Sequence, residues 1–310
     1  MHVVITGGAG FIGANLCRHL LATPEVTGVT VIDDLSTGDL ANLTDVPVRV
    51  VQGTILDNDA LDDAFTDATA VVHLAALGSV PRSVAEPMAS LQANATGTAM
   101  VLEAARRHGN LHTLVAGSSS VYGANPVLPK HEDLATRPMS PYAASKLATE
   151  AYALAWAASY DLPVLSFRFF NVYGPLQPAG HAYAAVIPRF VHAALTDQPL
   201  TIYGDGTQSR DFTYVGTLTS VVVDALRRRV TAPTPVNLAF GTRCSLLDLV
   251  EQLETTFGRP LARIHEPGRR GDVAHSQADG SRLAALFPDI APVVFADGLQ
   301  ATVEWMRSTL

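Results

Sequence analysis

The sequence predicts an α/β fold: a doubly wound parallel sheet with a smaller C-terminal lobe. Three observations predict it. Strand-like apolar runs at 2–6, 29–33, 48–52, 70–74, 113–117 and 164–169 alternate with helical patterns at 11–22, 58–67, 87–108 and 142–159. Such alternation folds as parallel strands covered on both faces by helices. The first strand passes through a cluster of glycines straight into the first helix, and after Phe170 the alternation gives way to a stretch rich in proline and glycine.

The first strand and its turn, Val3-Val4-Ile5-Thr6-Gly7-Gly8-Ala9-Gly10-Phe11-Ile12-Gly13, have the order of a Rossmann-type dinucleotide-binding turn. Gly7 and Gly8 permit the reversal, Gly10 lets backbone approach a pyrophosphate, and Gly13 lets the helix pack close to the strand. The helix N-terminus offers unpaired N–H groups to phosphate. The second strand, Val29-Thr30-Val31-Ile32-Asp33, ends in an acid 20 residues after Gly13. A carboxylate there accepts from both ribose hydroxyls and repels a 2′-phosphate, which favours NAD over NADP.

The remaining elements divide the chain. Pro175, Pro178, Pro188 and Pro199 surround one helical pattern within 174–210, strand and helix types return over 212–241, and a final stretch runs from 242 to 310. Residues 1–173 with 211–241 are therefore expected to form the dinucleotide-binding domain, and 174–210 with 242–310 the substrate-binding lobe. One helix in that lobe is signed at both ends, by Ser245 as N-cap with Asp248 three residues on and by Gly258 as stop. The helix following Tyr142 is rich in alanine, a surface suited to close helix packing within the chain or across a homodimer.

A net charge of −8 and a pI near 5.6 argue against nucleic acid or an anionic membrane as partner, since either favours a basic face. The one basic run, Arg227-Arg228-Arg229, reads as the solvated end of a helix. There is no apolar segment of 18 residues and no cleavable signal pattern, so a cytoplasmic protein is expected. Cys17 and Cys244 make no disulfide scaffold. His108 and His112 have i, i+4 spacing, but Gly109 breaks the helix between them and no metal site is expected.

Chemistry enters with Ser118-Ser119-Ser120-Val121-Tyr122-Gly123, which follows the fifth strand and so lies at the carboxyl edge of the sheet, where doubly wound folds bind ligands. Twenty-four residues after Ser118 comes Tyr142-Ala143-Ala144-Ser145-Lys146. Tyrosine and lysine four apart share one helix face. A free phenol titrates near ~10, too high for a base at neutral pH, but an ammonium one turn away and a positive nicotinamide ring both favour phenolate. Tyr142 is then a usable general base.

These motifs together resemble the extended short-chain dehydrogenases/reductases and, within them, the NAD-dependent UDP-sugar 4-epimerases of the UDP-glucose/UDP-N-acetylglucosamine type. The resemblance covers almost the whole chain. It runs through the glycine turn, Asp33-Asp34-Leu35-Ser36-Thr37-Gly38, His73-Leu74-Ala75-Ala76, Asn94, the serine run, Tyr142 with Lys146, Arg168-Phe169-Phe170-Asn171-Val172-Tyr173-Gly174-Pro175, Gly204-Asp205-Gly206, Ser209-Arg210-Asp211-Phe212, and Arg269-Arg270-Gly271-Asp272. It implies that Phe11, Ile12, Asp33, Asp34, Gly38, Ile55, Leu74, Ala75, Ala76, Asn94 and Phe169 line the NAD site beside the glycines, with Lys146 on the nicotinamide ribose. Ser118 is implied on the sugar's 4-oxygen, with Ser120 close by. Asn171, Tyr203, Arg210 and Arg269 are implied on the nucleotide diphosphate, Asp272 beside them, and arginine's planar donors suit phosphate oxygens. Gly53-Thr54-Ile55 departs from the family's Gly-Asp-Ile, which puts the adenine contact there in doubt.

The implied reaction is a loan of hydride through a 4-keto sugar with no net redox, the cofactor staying bound. Gly78-Ser79-Val80-Pro81-Arg82-Ser83, the stretch from Ala182 to Pro188 including Val186, and Ser276 in His275-Ser276-Gln277-Ala278-Asp279 resemble the epimerases that accept N-acetylhexosamines. Ser79, Arg82, Val186 and Ser276 are accordingly expected at the substrate, Ser276 leaving room for an acetamide. Arg189 falls where related uronate epimerases place an arginine on the carboxylate, which keeps UDP-glucuronate as an alternative. Nucleotide-sugar 4,6-dehydratases carry an Asp-Glu pair after a threonine in place of Ser118-Ser119-Ser120, and this run holds no carboxylate. A silent NAD-binding protein on the same fold is the remaining alternative, disfavoured by the presence of both Tyr142 and Lys146.

Overall fold

A computed structural model describes residues 1–180, 184–268 and 275–310. The strands are β1 (His2–Thr6), β2 (Gly28–Asp33), β3 (Arg49–Gln52), β4 (Ala70–His73), β5 (His112–Ser118), β6 (Val164–Phe169), β7 (Val172–Tyr173), β8 (Leu200–Tyr203), β9 (Ser209–Arg210), β10 (Thr213–Tyr214), β11 (Val236–Leu238), β12 (Cys244–Ser245) and β13 (Arg263–Glu266). The helices are α1 (Phe11–Leu21), α2 (Asn58–Phe65), α3 (Val80–Ala85), α4 (Pro87–Leu91), α5 (Gly97–Arg107), α6 (Pro141–Tyr160), α7 (Val186–Leu195), α8 (Val215–Arg228), α9 (Leu246–Phe257), α10 (Ser281–Leu286) and α11 (Phe295–Thr309).

Seven parallel strands form the central sheet in the order β11-β6-β5-β4-β1-β2-β3. The order reverses between β1 and β4, so their carboxyl ends flank the crevice where such sheets take ligands. β1, β2, β4 and β6 are almost wholly buried, as their Val/Ile/Leu-rich runs require of a sheet covered on both faces, whereas the edge strand β3 is largely exposed. On one face α1, α8 and the Leu283 and Phe287 side chains pack together; on the other, α2, α5 and α6. A third cluster gathers Ile187, Phe190, Leu200, Ile202, Leu249, Leu253, Leu299 and Met306 from α7, β8, α9 and α11. Ser245 and Asp248 form the reciprocal capping box of α9, and Gly258 ends the helix in the left-handed region.

Two expectations are corrected. The single helix expected over 87–108 is broken by a π turn at Gln92–Thr96, and α3 precedes it where no helix was read. The break has a visible cause: Asn94, inside the π turn, directs its side chain sideways onto Leu77 and Ser145. The 281–287 segment, expected in the lobe, packs on the central sheet through Leu283 and Phe287. No helix among the described residues is long and apolar enough to cross a membrane.

Candidate active site

The glycine turn is a cradle that side chains would fill. A Cβ on Gly13 would lie 2.4 Å from the Gly7 carbonyl oxygen and 2.6 Å from Gly8 Cα, and a Cβ on Gly7, at φ +73°, would lie 2.8 Å from the Ala75 backbone nitrogen. Helix and strand ends therefore touch backbone to backbone. Gly10 caps α1 without any side-chain hydrogen bond, which leaves the helix N-terminus to an anion. The Asp33 carboxylate accepts from the N–H groups of Ala9 and Leu35, 2.9 Å each, and Gly38 closes over it so tightly that a Cβ would sit 2.9 and 3.0 Å from the two oxygens. Burial raises the pKa of Asp33 while those N–H groups lower it. Two backbone bonds leave acceptor capacity for ribose hydroxyls. Asp34 turns its oxygen onto the Ser36 N–H, and the Thr54 hydroxyl accepts from Leu56, organising its own turn. A cradle, an open helix end and a buried acid fit NAD.

The cofactor cradle is braced from below by His73, wholly buried between the hydroxyls of Thr6 (2.7 Å) and Thr98 (2.9 Å). Burial first, and the Lys146 charge second, push its pKa down to about 3, so the ring is neutral. Leu74, Ala75 and Ala76 follow directly at the edge of the crevice, and Ile55 packs against Gly97. Asn94, expected on the cofactor, is bonded within the chain. It is buried, its side chain bonds Leu77 N–H (2.8 Å), the Leu77 carbonyl (3.3 Å) and Ser145 (2.9 Å), and its carbonyl accepts from Thr98 and Thr149. It positions the loop after β4.

At the end of β5, in register with Phe169 on β6, stands Ser118. Its oxygen accepts from both the N–H (3.2 Å) and the hydroxyl (2.8 Å) of Ser120. With both lone pairs taken, its own proton is left to donate, and the Tyr142 phenol is within hydrogen-bonding reach. Tyr142 enters at the second position of α6, whose N-cap Ser140 accepts from Ala143 and whose first residue is Pro141. Burial pushes the phenol's pKa up and the bond from Ser118 draws it back.

The Lys146 ammonium, one turn along α6 from Tyr142, is anchored to the strand. It donates to the Ala116 carbonyl at 2.8 Å, and burial lowers its pKa to about 8. One further turn along α6, Glu150 makes a buried two-pronged pair with Arg168 (2.7 Å twice), whose guanidinium lies 4.7 Å over the Tyr122 ring. That ties α6, β6 and the segment after Ser118 into one rigid body.

The family-model comparison matches residues 3–239 to the NAD-dependent epimerase/dehydratase family. The chain belongs to that family. It is 35% identical to a UDP-glucose 4-epimerase of Mycolicibacterium smegmatis, over 99% of each chain. Among solved structures it superposes on a UDP-N-acetylglucosamine 4-epimerase from Methanobrevibacter ruminantium in complex with UDP-N-acetylmuramic acid, with a TM-score of 0.93 and 35% identity over 100% of this chain and 99% of the other. It also superposes on a UDP-glucuronic acid 4-epimerase from Bacillus cereus in complex with UDP-glucuronic acid and NAD, with a TM-score of 0.89 and 30% identity over 100% of both. The family's dependence on NAD agrees with the cradle.

Beyond Phe169 the chain opens into a cavity of about 270 Å³. Five expected residues, Asn171, Val186, Arg189, Tyr203 and Arg210, line it together. The Arg189 guanidinium lies 5.7 Å over the Tyr203 ring. Asn171 donates to the Asp211 carbonyl, joining this wall to β9. Gln177, Gln208 and Leu246 line the same cavity without having been assigned to a site from the sequence; the only local signal was the Gly174-Pro175 turn before Gln177.

Other expected residues stand elsewhere. Ser79 caps α3 by accepting from Arg82 N–H, and the Arg82 side chain runs along that exposed helix to Glu86 (3.4 Å), so neither lines the cavity. Ser276 is held by its N–H on the Ser209 carbonyl (3.0 Å), beside Arg210 rather than in the wall. Ala182, Tyr183, Arg269 and Asp272 lie outside the described residues.

Proposed function

We propose that the chain catalyses NAD-dependent C4 epimerisation of a UDP-hexose through a 4-keto sugar, with UDP-N-acetylglucosamine or UDP-glucose and their galacto epimers as substrates. The observation that carries the proposal is Ser118, fixed as a donor and within reach of Tyr142, at the sheet edge one strand from the nucleotide-sized cavity. When bound, NAD supplies a hydride acceptor and then a donor. Tyr142, as phenolate, takes the proton of the sugar's 4-hydroxyl and becomes neutral, and the Ser118 hydroxyl beside it is free to turn its proton from the phenol to that oxygen. Lys146, anchored at Ala116, keeps two further donors for the nicotinamide ribose. Asn171, Tyr203, Arg210 and Arg269 are assigned to the nucleotide diphosphate, and Val186 to the substrate beside them.

Loss of water needs an acid and a base near the sugar, and the run 118–120 holds no carboxylate, which weighs against a dehydratase. Arg189 in the cavity wall supports UDP-glucuronate as the second reading, since a planar guanidinium pairs well with a carboxylate. A homodimer is proposed through α3, α4 and α6, where Val84, Met88, Leu91 and Tyr152 are exposed together. The test is proton NMR of the anomeric signals after incubation with UDP-N-acetylglucosamine, UDP-glucose and UDP-glucuronate in turn, beside Tyr142→Phe. One substrate is expected to reach a mixture with its C4 epimer, with the variant slower by about 10²–10⁴. Unchanged sugars, or one that loses water, would defeat the proposal.

A further inference from the structure

His73 stands between the cofactor cradle and the helix that carries Tyr142, and the groups on either side of its ring fix where its proton sits. On the cradle side, Thr6 Oγ1 accepts from the Ala75 N–H at 3.2 Å and meets the ring Nδ1 at 2.7 Å. An N–H can only donate, so the Thr6 proton is left for Nδ1. On the other side, the Thr98 hydroxyl meets the Asn94 carbonyl and, at 2.9 Å, the ring Nε2. A carbonyl can only accept, so Thr98 gives its proton there and receives one from Nε2. Both sides demand the same neutral ring, with hydrogen on Nε2 and none on Nδ1. The reverse tautomer would set the Thr98 and Asn94 oxygens against each other with no proton of Thr98 between them.

The same polarity continues into α6. The Asn94 amide donates to Ser145 Oγ at 2.9 Å, and Ser145 donates to the Tyr142 carbonyl at 2.8 Å. A run of hydrogen bonds with every donor pointing the same way therefore leads from Ala75 through Thr6, His73, Thr98, Asn94 and Ser145 to the backbone of Tyr142. Its two ends are functional ground. The Ala75 backbone lies against Gly7 of the cradle, and Ser145 directly precedes Lys146. Thr6, His73, Asn94, Thr98 and Ser145 are all buried, and a buried polar run whose members are all paired is rigid.

Resting on the epimerase reading for its kinetic part, we propose that His73 is a positioning residue: as the Nε2–H tautomer it couples the cofactor loop at Ala75 to the Tyr142–Lys146 turn of α6, and so sets the base against the cofactor. It acts through Thr6 on one side and through Thr98 on the other.

Nitrogen NMR of the NAD-loaded protein, isotopically labelled at histidine, reads the tautomer, with the His73 signals identified by their loss in His73→Gln. Nδ1 is expected to resonate as a bare imidazole nitrogen and Nε2 as a protonated one. The release of NAD from the loaded protein and the kcat of the loaded protein then separate the two sides. Glutamine brings its amide nitrogen to the place of Nε2 and keeps the bond to Thr98; asparagine brings its oxygen to the place of Nδ1 and keeps the bond from Thr6. His73→Gln is expected to release NAD roughly five- to tenfold faster with kcat little changed, and His73→Asn to retain NAD and lose kcat by a similar factor with KM unchanged. A proton on Nδ1, alone or together with one on Nε2, overturns the inference. So does a parallel fall of NAD retention and kcat in both variants, which is what lost packing alone would give. Should neither variant fold, the tautomer in wild type decides. Wild type that converts no UDP-sugar defeats the epimerase reading, while the tautomer and NAD release still decide this one.

Discussion

The two halves of the candidate site are made of different material. The cofactor cradle is backbone against backbone: Gly13 on Gly7 and Gly8, Gly7 on Ala75, Gly38 on the Asp33 carboxylate. The substrate cavity is side chain against side chain, with Arg189 over Tyr203, Arg210 on β9 and Gln177 after the Gly174-Pro175 turn, contributed by segments far apart in the chain. Backbone contacts leave no room for adjustment, whereas side chains are exchanged one at a time. The cradle is therefore fixed in shape, whereas the cavity can change one side chain at a time.

The difference is broken most severely at Gly13. Gly13→Ala drives a methyl into the Gly7 carbonyl and Gly8 Cα, and loss of bound NAD is expected together with about 1–3 kcal/mol of stability. Cofactor content after purification and thermal unfolding check this. A Gly13→Ala protein with full NAD occupancy would show that the cradle adjusts as readily as the cavity.

His73 makes the cradle sensitive to acid. Its folded pKa of about 3 lies below the ordinary value of 6.5, so between those values the unfolded chain binds the proton that the folded chain refuses. Stability attributable to His73 is complete above about pH 6.5 and is lost as pH falls toward 3, in total roughly 5 kcal/mol. Denaturant unfolding between pH 4 and 7 is expected to show a slope that flattens in His73→Gln. Identical slopes would place the acid sensitivity elsewhere.

A smaller effect is expected at the boundary between the halves. Ser120→Ala frees a lone pair on Ser118, whose proton is then no longer committed to Tyr142. The phenol loses the bond that offsets its burial, its pKa rises, and the rising limb of kcat/KM against pH moves to higher pH, with about a tenfold loss at neutral pH. Ser120→Thr, which keeps the hydroxyl, is expected to restore the profile. A tenfold loss without movement of the limb would assign Ser120 to substrate contact alone.

Much of the fold was legible because its signals are local. The Val3–Gly13 run and the acid at Asp33 specify strand, turn and next strand within a few residues, and the capping box at Ser245 closes on itself. The cavity was legible only in part. Arg210 and Tyr203 were reached through resemblance, but Gln177 and Gln208 carry no periodicity or motif of their own, and only the folded chain brings them to Arg189. Asn94 and Arg82 show the converse. The resemblance implied ligand contacts for both, and in the structure one braces the Leu77 loop while the other runs along α3 to Glu86. Lys146 was placed on the right helix face, yet its partner, the Ala116 carbonyl, lies on a strand 30 residues away that no spacing rule connects to it.

The central claim is that hydrogen leaves C4 of the sugar and returns to C4 within the Ser118–Tyr142 site. It is tested most directly with a UDP-hexose deuterated at C4, using whichever sugar the enzyme converts, followed by mass and NMR analysis of the product. The account predicts an epimer that keeps its deuterium at C4 with none lost to water. Deuterium washed into solvent, or found at C6 of a dehydrated product, would contradict it.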